Sequence, residues 1–254
     1  MSRYISPVLY ILLMLVGCMA FISIAGVRVG LFEPSTGFSL LRKSVFASLF
    51  LSVLAAISLR MCFKEENPAY KRFFSLVLIV SVVYSLMWIG FYVQRINLPS
   101  ISDITTDTKQ PPAYLNVNFI RKSQENDLYY NPEWAPIQKA HYPNVKPLFS
   151  TKEKSEVYQF AEKLVQDRGW EIVARYSAAG IIEATARTPI FGFRDDVVIR
   201  LINVDGDRVK VDMRSCSRVG RGDFGVNAQR IESFMGDLSA ALTRSEMPNI
   251  TSVR

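Results

Sequence analysis

The sequence is poor in the side chains that most enzymes rely on. It holds one histidine and three cysteines in 254 residues. With His141 alone, a histidine triad or multi-histidine metal site has no second ring to draw on. The cysteines stand at 18, 62 and 216, and only Cys216 lies outside the apolar N-terminal part. No disulfide can therefore close within the remainder, and no CxxC or Cys/His zinc spacing occurs. No metal, no cofactor and no catalytic group is expected. Asp, Glu and Lys are missing from the long apolar runs, which argues against an ion- or proton-translocating path through them.

Acidic residues are scarce in the first part. Residues 1–95 carry nine Lys and Arg against three Asp and Glu, whereas residues 96–254 carry twenty-one against twenty. The pI of about 9.3 is thus a property of the apolar part, where cations flank hydrophobic runs. That pattern belongs to headgroup contact and topology, not to a nucleic-acid-binding face. The expected partner is the lipid bilayer, and no nucleic acid is expected.

Three runs have the length and composition of spans, at 4–27, 44–62 and 73–93. The uncharged stretch of the middle one, 44–59, is flanked by Lys43 and Arg60, whose stems can snorkel and lengthen it. The tetrapeptide LVGC at 15–18 resembles a lipoprotein cleavage box. The apolar run continues through Met19, Phe21, Ile22 and Ile24, so a retained helix is expected. Three spans place Arg3, Arg60, Lys64, Lys71 and Arg72 on one side and Arg28, Arg42, Lys43 and Arg95 on the other. This small excess favours a cytoplasmic N-terminus, hence a protein of the bacterial inner (plasma) membrane with its soluble domain on the non-cytoplasmic side.

Seven of the twelve prolines fall between 99 and 147. Proline removes donors and fixes φ, so residues 96–150 are expected to form an extended arm. Its interleaved Tyr114, Leu115, Val117, Phe119, Ile120, Tyr129, Tyr130 and Trp134 imply that it packs on a domain surface rather than hanging free. The domain itself is expected over 151–243, with a tail at 244–254. Ser150 and Glu153 have the S-x-x-E spacing of a capping box, followed by Val157, Phe160, Ala161, Leu164 and Val165 at helical period and by Gly169 as a stop. Alternation predicts strands over 170–176 and 181–188 around a turn at 177–180. Two further strands carry Val197, Ile199 and Leu201, then Val209, Val211 and Met213. A two-residue turn between them would put their apolar faces on opposite sides. A loop of three or five residues pairs Leu201 with Val211 and Ile199 with Met213, and sets Arg200 opposite Asp212. A last helix shows Ala228, Ile231, Phe234, Met235, Leu238, Ala241 and Leu242 on one stripe. The class is α+β: a three-helix transmembrane region, then a four-stranded antiparallel sheet with two helices on one face.

The segment between the last strand and the last helix is dense in Arg, Ser, Gly and Asp. Gly220, Gly222 and Gly225 satisfy G-x-G-x-x-G, but no second parallel strand follows to complete a dinucleotide unit. Asp223-Phe224-Gly225 as a kinase motif lacks every companion element. What remains is a glycine-rich turn before a helix N-terminus, which attracts anions. Arg200, Arg214, Ser215, Ser217, Arg218, Asp223, Asn227 and Arg230 are the candidate ligands of an anionic small molecule there. The competing account has Asp223 capping the helix while the arginines pair with Asp195, Asp196 and Asp212 in a structural network. Asp195 and Asp196 as an acid/base pair meet a geometric objection, since neighbours on a strand point to opposite faces.

Several stretches taken together resemble one family: LPSISDITTDTKQPPAY at 98–114, Gly169-Trp170, IEATART at 182–188, FGFRDDVVIR at 191–200 and RSCSRVGRGDFGVNAQRI at 214–231. They are similar to the family labelled domain of unknown function 1499, over about 97–243, with the three spans outside. The resemblance implies domain boundaries and no chemistry. The expected function is a membrane-anchored, non-enzymatic domain binding an anionic ligand or a membrane or envelope protein partner. The alternatives are an envelope hydrolase using Asp195, Asp196 or Asp223, and a purely structural membrane component.

Overall fold

A computed structural model of the chain describes residues 2–63, 67–204 and 206–246. It divides into two compact units. The first comprises residues 1–97 together with Pro189–Gly192, and the second holds Leu98–Thr188 and the chain from Phe193 onward.

The first unit is built from α1 (Ser2–Arg28), α2 (Pro34–Cys62) and α3 (Pro68–Val93), each long and apolar enough to cross a membrane. α2 begins ten residues before the expected run, because Pro34 sits in its first turn, where a missing N–H costs nothing. Pro68 opens α3 in the same way, behind Asn67, whose side chain accepts the Ala69 N–H at 2.9 Å. Lys64, counted above in the topology, lies outside the described residues. Small side chains let α2 and α3 approach: the Ser48 hydroxyl donates to the Ser81 carbonyl at 3.1 Å, and the Ser44 and Tyr84 hydroxyls meet at 2.6 Å. The same unit includes Ile190, whose carbonyl accepts from Arg28 Nε at 3.1 Å, and Phe191, whose ring stands edge-on to Phe38 with centroids 5.6 Å apart.

The second unit is an antiparallel sheet of six strands, not the expected four. They are β1 (Asp103–Thr105), β2 (Leu148–Ser150), β3 (Glu171–Tyr176), β4 (Ile181–Arg187), β5 (Arg194–Val204) and β6 (Arg208–Ser217). The order is β1-β6-β5-β4-β3, and β2 pairs with β6 beyond β1. The two additional strands come from the proline-rich arm. Three residues each are too short to show a period, so only their pairing with β6 makes them strands. The β5–β6 hairpin has the expected odd connection, with Val204 opposite Arg208, Leu201 opposite Val211, Ile199 opposite Met213 and Arg200 opposite Asp212.

That register puts most of the apolar side chains on one face. Ile182, Ala184, Val197, Ile199, Leu201, Val211 and Met213 pack there against α6 (Lys154–Asp167) and α7 (Val226–Glu246) in one core. α6 buries Val157, Ala161 and Val165, and α7 buries Ile231, Phe234 and Leu238. Fully burying one such side chain is worth about 1.5–3 kcal/mol, so this layer is the main stabilising element. Gly169, with φ of +66°, ends α6 where the spacing placed the stop. The capping box does not form. Ser150 is the last residue of β2, paired with Val209, and its hydroxyl accepts the Lys152 N–H instead, while Glu153 precedes the helix without a side-chain bond.

The opposite face is covered by the arm, which adds the short helices α4 (Val117–Ile120) and α5 (Trp134–His141). Gln138 of α5 closes the outer edge of β1. Its side chain accepts the Thr105 N–H at 3.0 Å and donates to the Thr105 carbonyl at 2.7 Å, as a neighbouring strand would. The apolar content beneath the arm is modest: Tyr114, Val117, Val198 and Cys216. Polar and charged side chains hold the rest.

Candidate functional site

Strand alternation sorts the candidate residues. Odd-numbered positions at the start of β5 and the end of β6 (Asp195, Ser215, Ser217) face the helices, and even-numbered ones (Asp196, Asp212, Arg214) face the arm. The eight candidate ligands therefore do not converge on one loop. They belong to three clusters.

On the helix face, Asp195 accepts from Arg230 Nη2 at 2.5 Å. Arg230 Nη1 also reaches Ser215 Oγ at 2.9 Å and the side-chain oxygen of Asn227. Asn227 is fully buried. It donates to the Ser102 carbonyl at 3.0 Å and to Ser217 Oγ at 2.9 Å, and it accepts from Ser215 Oγ at 2.6 Å. Asp223 caps α7, accepting the N–H groups of Gly225 at 2.9 Å and Asn227 at 2.6 Å. Burial raises the Asp223 pKa above its ordinary value, opposed by those two N–H groups. The anion at this helix N-terminus is thus the chain's own carboxylate.

On the arm face, Asp196 has no exposed surface. Its carboxylate takes Arg218 through Nε at 3.0 Å and Nη2 at 2.9 Å, Arg121 Nε at 2.7 Å and the Thr185 hydroxyl at 2.8 Å. Arg214 is held by Asp103, through Nε at 2.9 Å and Nη2 at 2.6 Å, and by the carbonyls of Pro112 and Leu128. The Tyr114 and Tyr130 rings lie 5.0 and 5.7 Å from its guanidinium. Burial alone would lower the Arg214 pKa, but Asp103 outweighs it and raises it. Farther along this face, Asp212 accepts from Arg200 at 2.9 Å and Thr106 at 3.0 Å and lies 3.1 Å from Lys210, which also pairs with Asp107 at 2.7 Å.

Asp195 and Asp196 are therefore on opposite sides of the sheet, each paired with arginine. Cys216 is buried beside them, and burial pushes its thiol up to about 12, which leaves it protonated and unreactive at neutral pH. Among the described residues no three His, Cys, Asp or Glu side chains gather as metal ligands.

Among the participants that sequence reasoning missed are Asp103, Arg121, Asn126 and Glu183. The Glu183 carboxylate, fully buried, accepts the N–H groups of Leu115, Asn116 at 2.8 Å and Val117 at 3.2 Å, and so fixes the arm where α4 begins. Asn126 donates to the carbonyls of Ser217 and Gly220 at 3.0 and 2.8 Å. A usable signal existed only for Glu183, a charge within the short-residue run IIEATAR of a central strand. The arm itself leaves other side chains outward: Phe119 is 85% exposed and Tyr129 is 74% exposed.

The chain belongs to the family described as protein of unknown function (DUF1499), whose model matches residues 103–238. The match runs from β1 into α7 and leaves the three apolar helices outside it. No curated protein matches the chain.

Proposed function

We propose that this protein is a membrane-anchored, non-catalytic binding module of the cell envelope, and that its partner is a protein seated on the arm. The observation that carries this reading is the pair of outward aromatic side chains, Phe119 and Tyr129, on backbone pinned from beneath. Glu183 holds 115–117, Arg121 is tied to Asp196, and the Asn126 N–H is bonded to the Arg218 carbonyl at 2.7 Å. Large aromatic groups on an already ordered backbone lose little freedom on association, which is the physical profile of an interface anchor. A soluble anion at the β6–α7 loop is the weaker choice, because Arg214, Arg218, Asp223 and Arg230 are occupied by groups of the chain itself. The cation count favours placing the domain on the non-cytoplasmic side of the inner membrane.

A photo-crosslinking residue at position 119 or 129 of the full chain, expressed in cells, is expected to give discrete protein adducts. The same residue at the exposed position 229 on α7 is expected to give none. Equal adducts from all three positions, or none from 119 and 129, would remove the proposal. A periplasm-dependent phosphatase fused after Arg254 tests the side, since activity confined to cytoplasm-dependent reporters would reverse it.

A further inference from the structure

One end of the sheet carries a charge arrangement that the fold does not neutralise. The last pair of the β4–β5 ladder is Arg187 opposite Arg194, two cations directly facing. Like charges so placed are destabilising, and folds ordinarily avoid them. Both side chains are exposed. Among the described residues Arg187 reaches only Glu171, at 3.4 Å with both side chains more than half exposed, which is worth little. Arg194 has no side-chain partner among the described residues. Its carbonyl accepts the Arg218 N–H at 3.0 Å, so the chain leaves β6 beside it, and three residues on stands Arg221, exposed and likewise unpaired among the described residues. The acids nearest in sequence are already committed: Asp195 to Arg230, Asp196 to Arg121 and Arg218, Asp223 to the start of α7.

Between Arg187 and Arg194 the chain passes through Pro189–Gly192, which belong to the unit of apolar helices. There Ile190 is bonded to Arg28, the last residue of α1, and Phe191 packs on Phe38, in the first turns of α2. Those are helix ends, the depth at which a bilayer places its headgroups. Arg187 and Arg194 are each two residues from this segment, at most about 7 Å of extended chain.

We infer that Arg187, Arg194 and Arg221 form a docking surface for anionic phospholipid headgroups of the bilayer that the helices cross. Guanidinium groups grip phosphate oxygens through paired N–H donors, and two facing arginines can share one phosphate, which converts their mutual repulsion into a binding preference. The surface rests on observations separate from the Phe119 face, and either can fail without the other.

The test uses the full chain in detergent, titrated with phosphatidylglycerol, phosphatidylcholine or inorganic phosphate and read by native mass spectrometry and by melting temperature. Phosphatidylglycerol is expected to bind and raise the melting temperature, while the other two do not. Changing Arg187, Arg194 and Arg221 together to Gln is expected to weaken the phosphatidylglycerol effect by about fivefold per arginine. Should the triple variant fold poorly, Arg194→Gln alone, whose side chain touches no partner, is expected to give about a fivefold loss. Undiminished phosphatidylglycerol binding in these variants would overturn the proposal by assigning the lipid to other cations. Inorganic phosphate acting as well as the lipid would overturn it too, by marking a site for free anions.

Discussion

Arg218→Ala separates an internal network from an empty anion site. In the folded protein Arg218 is buried and supplies two of the guanidinium nitrogens that neutralise Asp196, while Nη2 also donates to Thr185 Oγ1 at 3.1 Å. Truncation leaves a carboxylate with no exposed surface facing Arg121 and one hydroxyl. Breaking a buried pair on one side costs about 3–5 kcal/mol, and the surviving Arg121 contact argues for the lower figure, about 3 kcal/mol. That is a large part of the 5–15 kcal/mol typical of a domain. At a urea dependence of about 2 kcal/mol per molar, the midpoint falls by about 1.5 M. Trp134 and Trp170 report on the second unit once Trp88 of α3 is replaced by Phe, so urea unfolding of the full chain in detergent can be followed by fluorescence. Asp196→Asn is expected to cost more, since it leaves Arg121 and Arg218 facing each other without their shared anion. A shift of less than about 0.3 M for Arg218→Ala, together with stabilisation of the wild type by phosphate, would refute this reasoning and restore the anion site.

Two further outcomes follow from the arm's attachment. The Asp107–Lys210 link has a pH signature of known sign. Burial pushes the Asp107 pKa up, but Lys210 and the N–H groups of Gln110 and Lys109 outweigh it and hold it below the ordinary 3.8; burial likewise opposes, and Asp107 and Asp212 overcome, a Lys210 pKa raised above 10.5. A depressed carboxylate stabilises above its unfolded value and loses that contribution as pH falls through the folded one. A raised amine stabilises below its unfolded value and loses it as pH rises through the folded one. The melting difference between wild type and Asp107→Asn is therefore expected to be constant from about pH 5 to 9 and to shrink outside that window; a difference that peaks near pH 7 would contradict it. Glu183→Gln removes the charge that three arm N–H groups share, so amide exchange at 115–117 is expected to quicken by about thirtyfold, equivalent to about 2 kcal/mol. Unchanged protection there would show that the small apolar patch alone holds the arm.

How much of this was legible in the sequence depends on whether a residue's partner shares a periodic element with it. Alternation in β5 and β6 settled the odd hairpin, the pairing of Arg200 with Asp212 and the opposite facing of Asp195 and Asp196, because one slipped residue would have exposed the whole apolar set. The partners of Arg214 and Glu183, and the second arginine on Asp196, lie in the arm, where proline breaks any period, so neither Arg121 nor β1 with the Asp103 it carries could be read. The same irregularity explains why charges were used there. An arm with few apolar residues buried on this face and little regular structure could slide on a hydrophobic surface at small cost. It cannot slide on this face, since any other position would leave the Glu183 carboxylate buried without donors and would take Arg121 from Asp196 and Thr106 from Asp212. The ion pairs thus act more through position than through net stability. By holding the backbone of 114–126 in one place, they decide where Phe119 stands in the surrounding solvent.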